Sequence, residues 1–142
     1  MNKKFFPLLL FAIISIGCSS VQVTVKNYPV LIAGKWQAVS FGNTVVQLGL
    51  SLPSEYEFQE NGKYSSMQTI EGKPRRFSGT YKINTGESPA VILVERTDGR
   101  VFHGIIRFDN KNRFTMVLYD KRILPLTGEF HTDDIQVYKR KE

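Results

Sequence analysis

Residues 55–64 read Glu55-Tyr-Glu-Phe-Gln-Glu-Asn-Gly-Lys-Tyr64 and carry the pattern that recurs through the rest of the chain. Tyr56 and Phe58 alternate with charged and amide side chains, which is the period of a β-strand with one buried face. Asn61-Gly62 then supplies two residues that tolerate a positive φ, the strongest short-range signal for a hairpin turn. The stretch therefore predicts two antiparallel strands joined by a tight turn.

The same alternation recurs on both sides of this hairpin. Turn signals such as Glu71-Gly72-Lys73-Pro74 and Thr97-Asp98-Gly99-Arg100 separate the runs, and no segment keeps a helical period. The eight predicted strands cover residues 36–41, 55–59, 64–70, 77–83, 90–96, 101–108, 113–119 and 135–140. Such a ribbon either exposes two edges or closes on itself, and closure removes the edges. The sequence therefore predicts an all-β fold, an eight-stranded antiparallel up-and-down barrel.

Two segments interrupt the series of strands. Residues 43–53 carry several apolar side chains and fit either a short helix or an apolar loop folded over a barrel mouth. Residues 121–132 contain Pro125 and Gly128, which argue against a long element. Both segments are longer than a hairpin needs, and loops of this kind often carry function.

The N-terminus has the composition of an export signal. Lys3 and Lys4 precede an apolar run over residues 5–16, which is followed by Gly17 and by the only cysteine, Cys18. A positive region, a short apolar region and a small residue at the cleavage position form a secretory leader. The run is too short for a transmembrane helix, which needs about 20 apolar residues.

The segment Ile14-Ser-Ile-Gly-Cys18 resembles the lipobox of bacterial lipoproteins, although Ser15 stands where leucine is usual. The resemblance implies cleavage after Gly17, diacylation of the Cys18 thiol and a lipid anchor in the bacterial cell envelope. Ser19 after the cysteine implies the outer membrane rather than the inner one. The chain then divides into a lipoprotein signal peptide (1–17), a lipidated N-terminus and linker (18–33) and a barrel domain (34–142).

The linker leaves two interpretations open. Val21, Val23 and Val25 alternate with polar residues, so the segment is either an extra outer strand or a spacer between lipid and domain. Pro29 stops any regular pairing beyond this point.

The charge balance argues against a nucleic-acid partner. The full chain holds 19 Lys and Arg against 13 Asp and Glu, a net charge of +6. The predicted leader contributes Lys3 and Lys4 and no acid, so the mature chain keeps a net charge of about +4. The basic clusters Arg75-Arg76 and Lys139-Arg140-Lys141 are short and lack interleaved aromatic residues. We therefore expect no nucleic-acid binding.

The sequence holds no arrangement typical of catalysis or metal binding. His103 and His131 are the only histidines, they lie far apart, and no second cysteine accompanies Cys18. Asp133-Asp134 would point to opposite faces of a strand, and the pair fits a turn before the last strand. No Gly-x-Ser-x-Gly elbow or phosphate-binding glycine loop occurs. We expect neither an enzyme nor a metal site, and no cofactor.

Gly34-Lys35-Trp36 at the start of the first strand resembles the Gly-x-Trp signature of lipocalins and other calycins. Phe58, Asn61-Gly62-Lys63-Tyr64 and Gly79-Thr-Tyr-Lys-Ile83 are similar to small bacterial lipocalin-like lipoproteins. The resemblance spans roughly residues 34–139. It implies that Trp36 closes the barrel floor and packs against a late basic residue, for which Arg140 is the candidate. The chain lacks the Thr-Asp-Tyr motif and the C-terminal helix of larger lipocalins.

The barrel leads to two hypotheses of function. In the first, the domain binds a small hydrophobic ligand inside the barrel, where tyrosine hydroxyls orient a polar head and Gly79 and Gly104 leave room. The expected lining residues are Tyr56, Phe58, Tyr64, Phe77, Tyr81, Phe102, Ile106, Phe114, Met116 and Leu118. In the second, the same side chains fill the barrel, and its loops contact other proteins of the cell envelope. The lipid anchor makes the membrane a partner in both, and the sequence predicts no oligomeric state.

Overall fold

The computed structural model describes residues 23–42, 52–120 and 135–142. These residues form a 3-10 turn at Val25–Asn27, a one-turn helix, α1, at Tyr28–Leu31, and eight strands. The strands are β1 (Gly34–Phe41), β2 (Glu55–Phe58), β3 (Lys63–Ile70), β4 (Lys73–Asn84), β5 (Ala90–Arg96), β6 (Val101–Asn110), β7 (Arg113–Asp120) and β8 (Gln136–Arg140). Each of them overlaps the run predicted for it, so the predicted series of strands is confirmed.

The strands close into one barrel in sequence order. Neighbouring strands are antiparallel, and β1 pairs with β2 on one side and with β8 on the other. Trp36 is a residue at which both pairings meet, opposite Tyr56 in β2 and Arg140 in β8. The prediction of an all-β, eight-stranded antiparallel up-and-down barrel is confirmed.

The hairpin predicted at Asn61-Gly62 is present, but its loop is one residue longer than a two-residue turn. The Gln59 N–H donates to the Lys63 carbonyl, and Gly62 has a φ of 80°. This is a turn closed by a glycine bulge, a common alternative in hairpins. The backbone of Asn61 does not adopt a positive φ. Its side-chain oxygen instead accepts a hydrogen bond from the Lys63 N–H at 3.1 Å.

The next hairpin is tighter than predicted. Its turn consists of Glu71 and Gly72, with φ values of 51° and 74°. Lys73 and Pro74, predicted as turn residues, pair with β3 and belong to β4. The tip of this hairpin projects beyond its neighbours, because β2 pairs with β3 only as far as Met67 and β5 reaches β4 only from Gly79 onward. We call this tip the projecting hairpin.

The segment that leads into the barrel contains no strand between residues 23 and 33. The extra-strand interpretation is therefore wrong for these residues, and Val21 lies outside the described part of the chain. Pro29 lies in the first turn of α1, where a missing N–H costs no helical hydrogen bond. Within the described residues, no helix is long and apolar enough to cross a membrane.

The two ends of the barrel differ. At the closed end, where β1 begins, Tyr28, Leu31 and Ile32 are buried in the hydrophobic core. The open end is the opposite one, where β1 ends and the projecting hairpin lies. The connections between β1 and β2 and between β7 and β8, residues 43–51 and 121–134, lie outside the described residues. The prediction of a short helix or an apolar loop for residues 43–53 and the prediction of no long element for residues 121–132 therefore fall largely outside the described residues.

Gly79 and Gly104 bring neighbouring strands together rather than leaving room for a ligand. A Cβ on Gly79 would overlap the carbonyl oxygen of Glu95, and one on Gly104 would overlap that of Val117. No side chain fits at either position, because the backbone of the neighbouring strand occupies the place of its Cβ. The two glycines therefore permit the close approach that a strongly bent sheet needs.

We expect Gly79→Ala to lower the free energy of unfolding by roughly 2–4 kcal/mol, because the added methyl group forces β4 and β5 apart. Urea denaturation followed by circular dichroism measures the loss. Gly86→Ala is the control: Gly86 is exposed, and its Cβ would meet only the Asn84 side chain, at 3.3 Å. The control should change stability by less than about 0.5 kcal/mol. Equal losses in the two variants would contradict this explanation of Gly79.

Candidate functional site

The ten predicted lining residues lie in the strands and are spread along the barrel. Six are buried: Tyr56, Phe58, Tyr64, Ile106, Phe114 and Met116. Four are half-buried: Phe77, Tyr81, Phe102 and Leu118. The structure does not bring all ten to one cavity. Phe114 belongs to the packed closed end, whereas Phe102 and Leu118 line a pocket at the open end.

Aromatic side chains pack the closed end of the barrel. The ring of Trp36 lies edge-on to Phe114 and Phe108, with centroids 4.7 and 5.8 Å apart, and Phe108 contacts Tyr28 at 4.9 Å. The Trp36 Nε1–H donates to the Ile32 carbonyl at 2.7 Å. Edge-to-face pairs of this kind add stability beyond the area that they bury. This end therefore acts as a solid floor.

Arg140 fastens the floor to the segment before β1. Its guanidinium carbon lies 4.3 Å from the centre of the Trp36 ring. Its Nη1 and Nη2 donate to the carbonyls of Ala33 and Leu31 at 2.9 and 2.7 Å. Gly34 has a φ of 133°, and a Cβ there would collide with the Arg140 guanidinium, so the position requires glycine. This is the arrangement that the calycin resemblance implies for these residues.

At the open end the side chains leave a pocket of about 90 Å³. We call it the mouth pocket. Strand residues and two residues that precede β2 line it: Leu52, Pro53, Tyr56, Tyr64, Ser66, Gln68, Val94, Arg96, Phe102, Leu118, Asp120 and Gln136. Aromatic and aliphatic walls surround a few polar groups, which is the usual composition of a small-molecule site.

Arg96 is a buried cation in the mouth pocket. It follows Ile92 and Val94 at the spacing of inward-facing strand residues and lies opposite Gly79. Its side chain is only 10% exposed. The guanidinium carbon lies 3.7 Å from the centre of the Phe77 ring, a cation–π contact. The arginine head is thus held inside the barrel rather than in solvent.

The hydrogen bonds of Arg96 are incomplete. Its Nη2 pairs with the carboxylate of Asp98, in the turn after β5. Its Nε is buried and has no hydrogen-bond partner within the described residues. Leaving a buried donor unsatisfied costs about 1–3 kcal/mol, and more for a charged group. Arg96, which lines the mouth pocket, therefore carries one buried, charged N–H without a hydrogen bond within the described residues.

The buried acid of the pocket is paired. The Asp120 side chain, 5% exposed, accepts hydrogen bonds from Nε and Nη2 of Arg100 at 3.3 and 3.0 Å. Deeper in the barrel, the Tyr138 hydroxyl donates to the Pro53 carbonyl at 2.9 Å. These polar groups are held by the protein itself, in contrast to the Arg96 Nε.

Burial keeps the tyrosine hydroxyls protonated. It raises the pKa of Tyr64 to about 12 and raises the pKa values of Tyr56 and Tyr138 well above their usual range. The positive charge of Arg96 acts in the opposite direction at Tyr56 and Tyr64. At neutral pH these hydroxyls are therefore hydrogen-bond donors and not bases.

The polar residues of the mouth pocket were not predicted from the sequence. A signal was present, because Arg96 is in phase with Ile92 and Val94, and Asp120 is in phase with Leu118. Period two therefore places both charges on inward faces. The remaining polar residues of the pocket are Ser66, Gln68 and Gln136.

The described residues contain no group of three potential metal ligands. His103 is half-buried in β6, opposite Leu93 and Tyr119. Cys18, His131 and Asp133-Asp134 lie outside the residues that the structure describes.

No known protein family, curated protein or solved structure matches this chain. The closed eight-stranded barrel is compatible with a calycin-like fold.

We expect the free energy of unfolding to fall as the pH rises above 10, the usual pKa of tyrosine. A tyrosine whose pKa is raised by folding stabilises the folded state below pH 10 and loses that contribution as the pH rises toward its folded pKa, about 12 for Tyr64. Urea denaturation at pH 9 to 11.5 measures the decline, which Tyr64→Phe should reduce. Phenolate absorbance that shows all six tyrosines of the folded chain ionising near pH 10 would contradict the prediction.

Proposed function

We propose that this chain is an exported lipoprotein, anchored in the outer membrane of a bacterial cell envelope through Cys18, whose barrel binds a small hydrophobic ligand. The observation that carries the binding proposal is the mouth pocket, a partly open space with mainly apolar walls above a solid floor. The leader composition and the lipobox resemblance around Gly17-Cys18 support the anchor.

The size of the mouth pocket limits what it holds. Sites that enclose a whole small molecule measure about 300–1,000 Å³, whereas this pocket has about 90 Å³. It therefore takes a very small molecule or one end of a longer one, and the rest of a longer ligand leaves through the open end. Affinity comes from the apolar area removed from water, at about 25 cal/mol per Å² before the costs of association.

We propose binding rather than catalysis. The carboxylate of Asp120 is held in an ion pair by Arg100, which makes it a poor general base. The hydroxyls of Tyr56 and Tyr64 have raised pKa values and stay protonated. The pocket thus offers hydrogen-bond donors and an apolar surface, and its described residues form no pairing of a nucleophile with a base.

The position of the N-terminal segment is consistent with a tether that leaves the pocket accessible. The chain enters the barrel at the closed end, where Tyr28 and Leu31 are buried and Arg140 binds the carbonyls before β1. We propose that a lipid on Cys18 tethers the domain from this end. A membrane surface at that side does not block the open end.

Lipidation is tested by metabolic labelling. We expect radiolabelled palmitate to appear on the exported wild-type protein and to be absent from Cys18→Ser, because Cys18 is the only thiol. Ser19→Ala is the matched control and should keep the label. An unlabelled wild-type product would contradict the anchor and leave the ligand proposal to be judged by its own test.

Ligand binding is tested with N-phenyl-1-naphthylamine, a neutral probe that fluoresces in apolar surroundings. We expect saturable binding to the wild type and at least about tenfold weaker binding to Leu118→Trp, because the larger ring fills the mouth pocket. Leu93→Trp is the matched control. Leu93 is also a half-buried strand leucine but lies on the outer surface beside Lys82 and Glu95.

Equal binding by the Leu118→Trp and Leu93→Trp variants would place the probe outside the mouth pocket and contradict the proposal. Absence of binding to the wild type, for this probe and for a broad lipid panel, would contradict it as well. That outcome would favour the alternative, a cell-envelope protein that acts through its loops.

A further inference from the structure

We propose that the mouth pocket binds the anionic head group of its ligand, a carboxylate, at the guanidinium of Arg96. This inference rests on the proposed function, since it names the chemical class of the ligand that the same pocket takes. The ligand is a monocarboxylate with an apolar chain, bound by its head and extending through the open end.

Arg96 is placed like a binding residue and not like a surface cation. Surface arginines keep their heads in water, whereas the Arg96 side chain is nine-tenths buried. Its guanidinium lies against Phe77, with the Phe102 ring centre 6.0 Å away. The orientation of the cation is therefore set before a ligand arrives, which lowers the entropy that binding has to overcome.

The Arg96 Nε–H is the donor left for a ligand. Asp98 occupies Nη2 and is itself held in its turn by the Arg100 backbone N–H at 3.2 Å. The Nε–H has no partner within the described residues, so a ligand atom that accepts from it removes an existing cost. A carboxylate oxygen is the best acceptor, because charge-assisted hydrogen bonds are roughly twice as strong as neutral ones.

A ligand with one negative charge fits the pocket better than a ligand with two. Arg96 and Arg100 are each paired with one carboxylate, that of Asp98 and that of Asp120, so the described part of the pocket has no surplus positive charge and the unpaired Nε–H of Arg96 suits a single negative charge. The carboxylates of Asp98 and Asp120 would repel a second negative charge on the ligand. The pocket therefore favours a carboxylate over a phosphate monoester.

The projecting hairpin gives the entrance a positive bias. Lys73 and Arg75 occupy the strand face of β4 that they share with Phe77, and Glu71 lies at the turn. All three charged residues are exposed. With Arg76, which is exposed on the other face of β4, three cations against one acid favour the approach of an anion to the open end.

The other walls complete the site. Val94, Phe102 and Leu118 provide apolar walls in the same pocket. Tyr64 also lines this pocket, and its hydroxyl stays protonated at neutral pH and can act as a second donor. The pocket thus combines hydrogen-bond donors for the carboxylate head with apolar walls for the hydrocarbon chain.

The test compares four probes with the same eight-carbon chain at pH 7.5: octanoate, octanol, octyl phosphate and octylammonium. Isothermal titration calorimetry on the purified wild-type protein should show octanoate binding about tenfold or more tighter than octanol, because one charged hydrogen bond is added. Octyl phosphate should bind more weakly than octanoate, and octylammonium most weakly. Tighter binding of octyl phosphate would overturn the choice of a carboxylate.

Variants assign the effect to one side chain. Arg96→Gln should remove the preference for octanoate, so that octanoate binds this variant no more tightly than octanol does. Arg113→Gln is the matched control, since Arg113 is an exposed arginine at the closed end that pairs with Asp109. It should change neither affinity. Unchanged octanoate binding by Arg96→Gln would overturn the inference.

The remaining outcomes separate this inference from the proposed function. If octanol binds as tightly as octanoate and Leu118→Trp excludes both, the choice of a carboxylate head group is overturned. The ligand proposal then still stands. Binding of none of the probes would contradict the ligand proposal itself.

If Arg96→Gln does not fold, the Nε–H resonance of Arg96 in the wild type gives the answer. Octanoate should shift that resonance and octanol should not, and a resonance that octanoate leaves unchanged overturns the inference.

Discussion

Closure of the barrel through β1 is the constraint on which the rest of the structure depends. β1 is hydrogen-bonded to both β2 and β8, and Trp36 lies opposite residues of both partners. Arg140 adds side-chain bonds to the carbonyls of Leu31 and Ala33, which tie the last strand to the segment before the first. Without this seam the sheet would present two open edges and its aromatic face to water. Closure therefore defines an inside, and the inside gives the pocket its residues.

The inside is filled unevenly, and the chemistry of the inward residues explains why. At the closed end these residues are aromatic, and rings such as Trp36 and Phe114 pack edge to face at 4.7 Å. At the open end several inward residues are polar, among them Arg96, Asp120 and Gln136. A polar group is positioned by its partners rather than by the need to fill space, so a pocket is left between such groups. The binding role proposed for the open end rests on this asymmetry.

Much of the fold could be predicted from particular residues. The alternation around Tyr56 and Phe58 and the turn at Asn61-Gly62 located a hairpin that the structure contains. The start of β4 was misplaced, because Pro74 resembles a turn residue until its pairing with Thr69 is known. Arg96 was missed because an arginine at the end of a strand is usually solvated. Only its contact with Phe77 and its position opposite Gly79 show that it stays inside.

The local alternation of side chains determined where the strands lie in the sequence and which face of each strand is buried. These properties depend on neighbours a few residues apart, and such neighbours are visible in any sequence with period two. The tertiary structure alone decided the level along the barrel at which each inward residue lies, and hence that Phe114 joins the floor while Leu118 lines a pocket. It also decided that the Arg96 Nε has no partner within the described residues. Both outcomes are set by strand register and by distances between residues far apart in the chain, which no local pattern encodes.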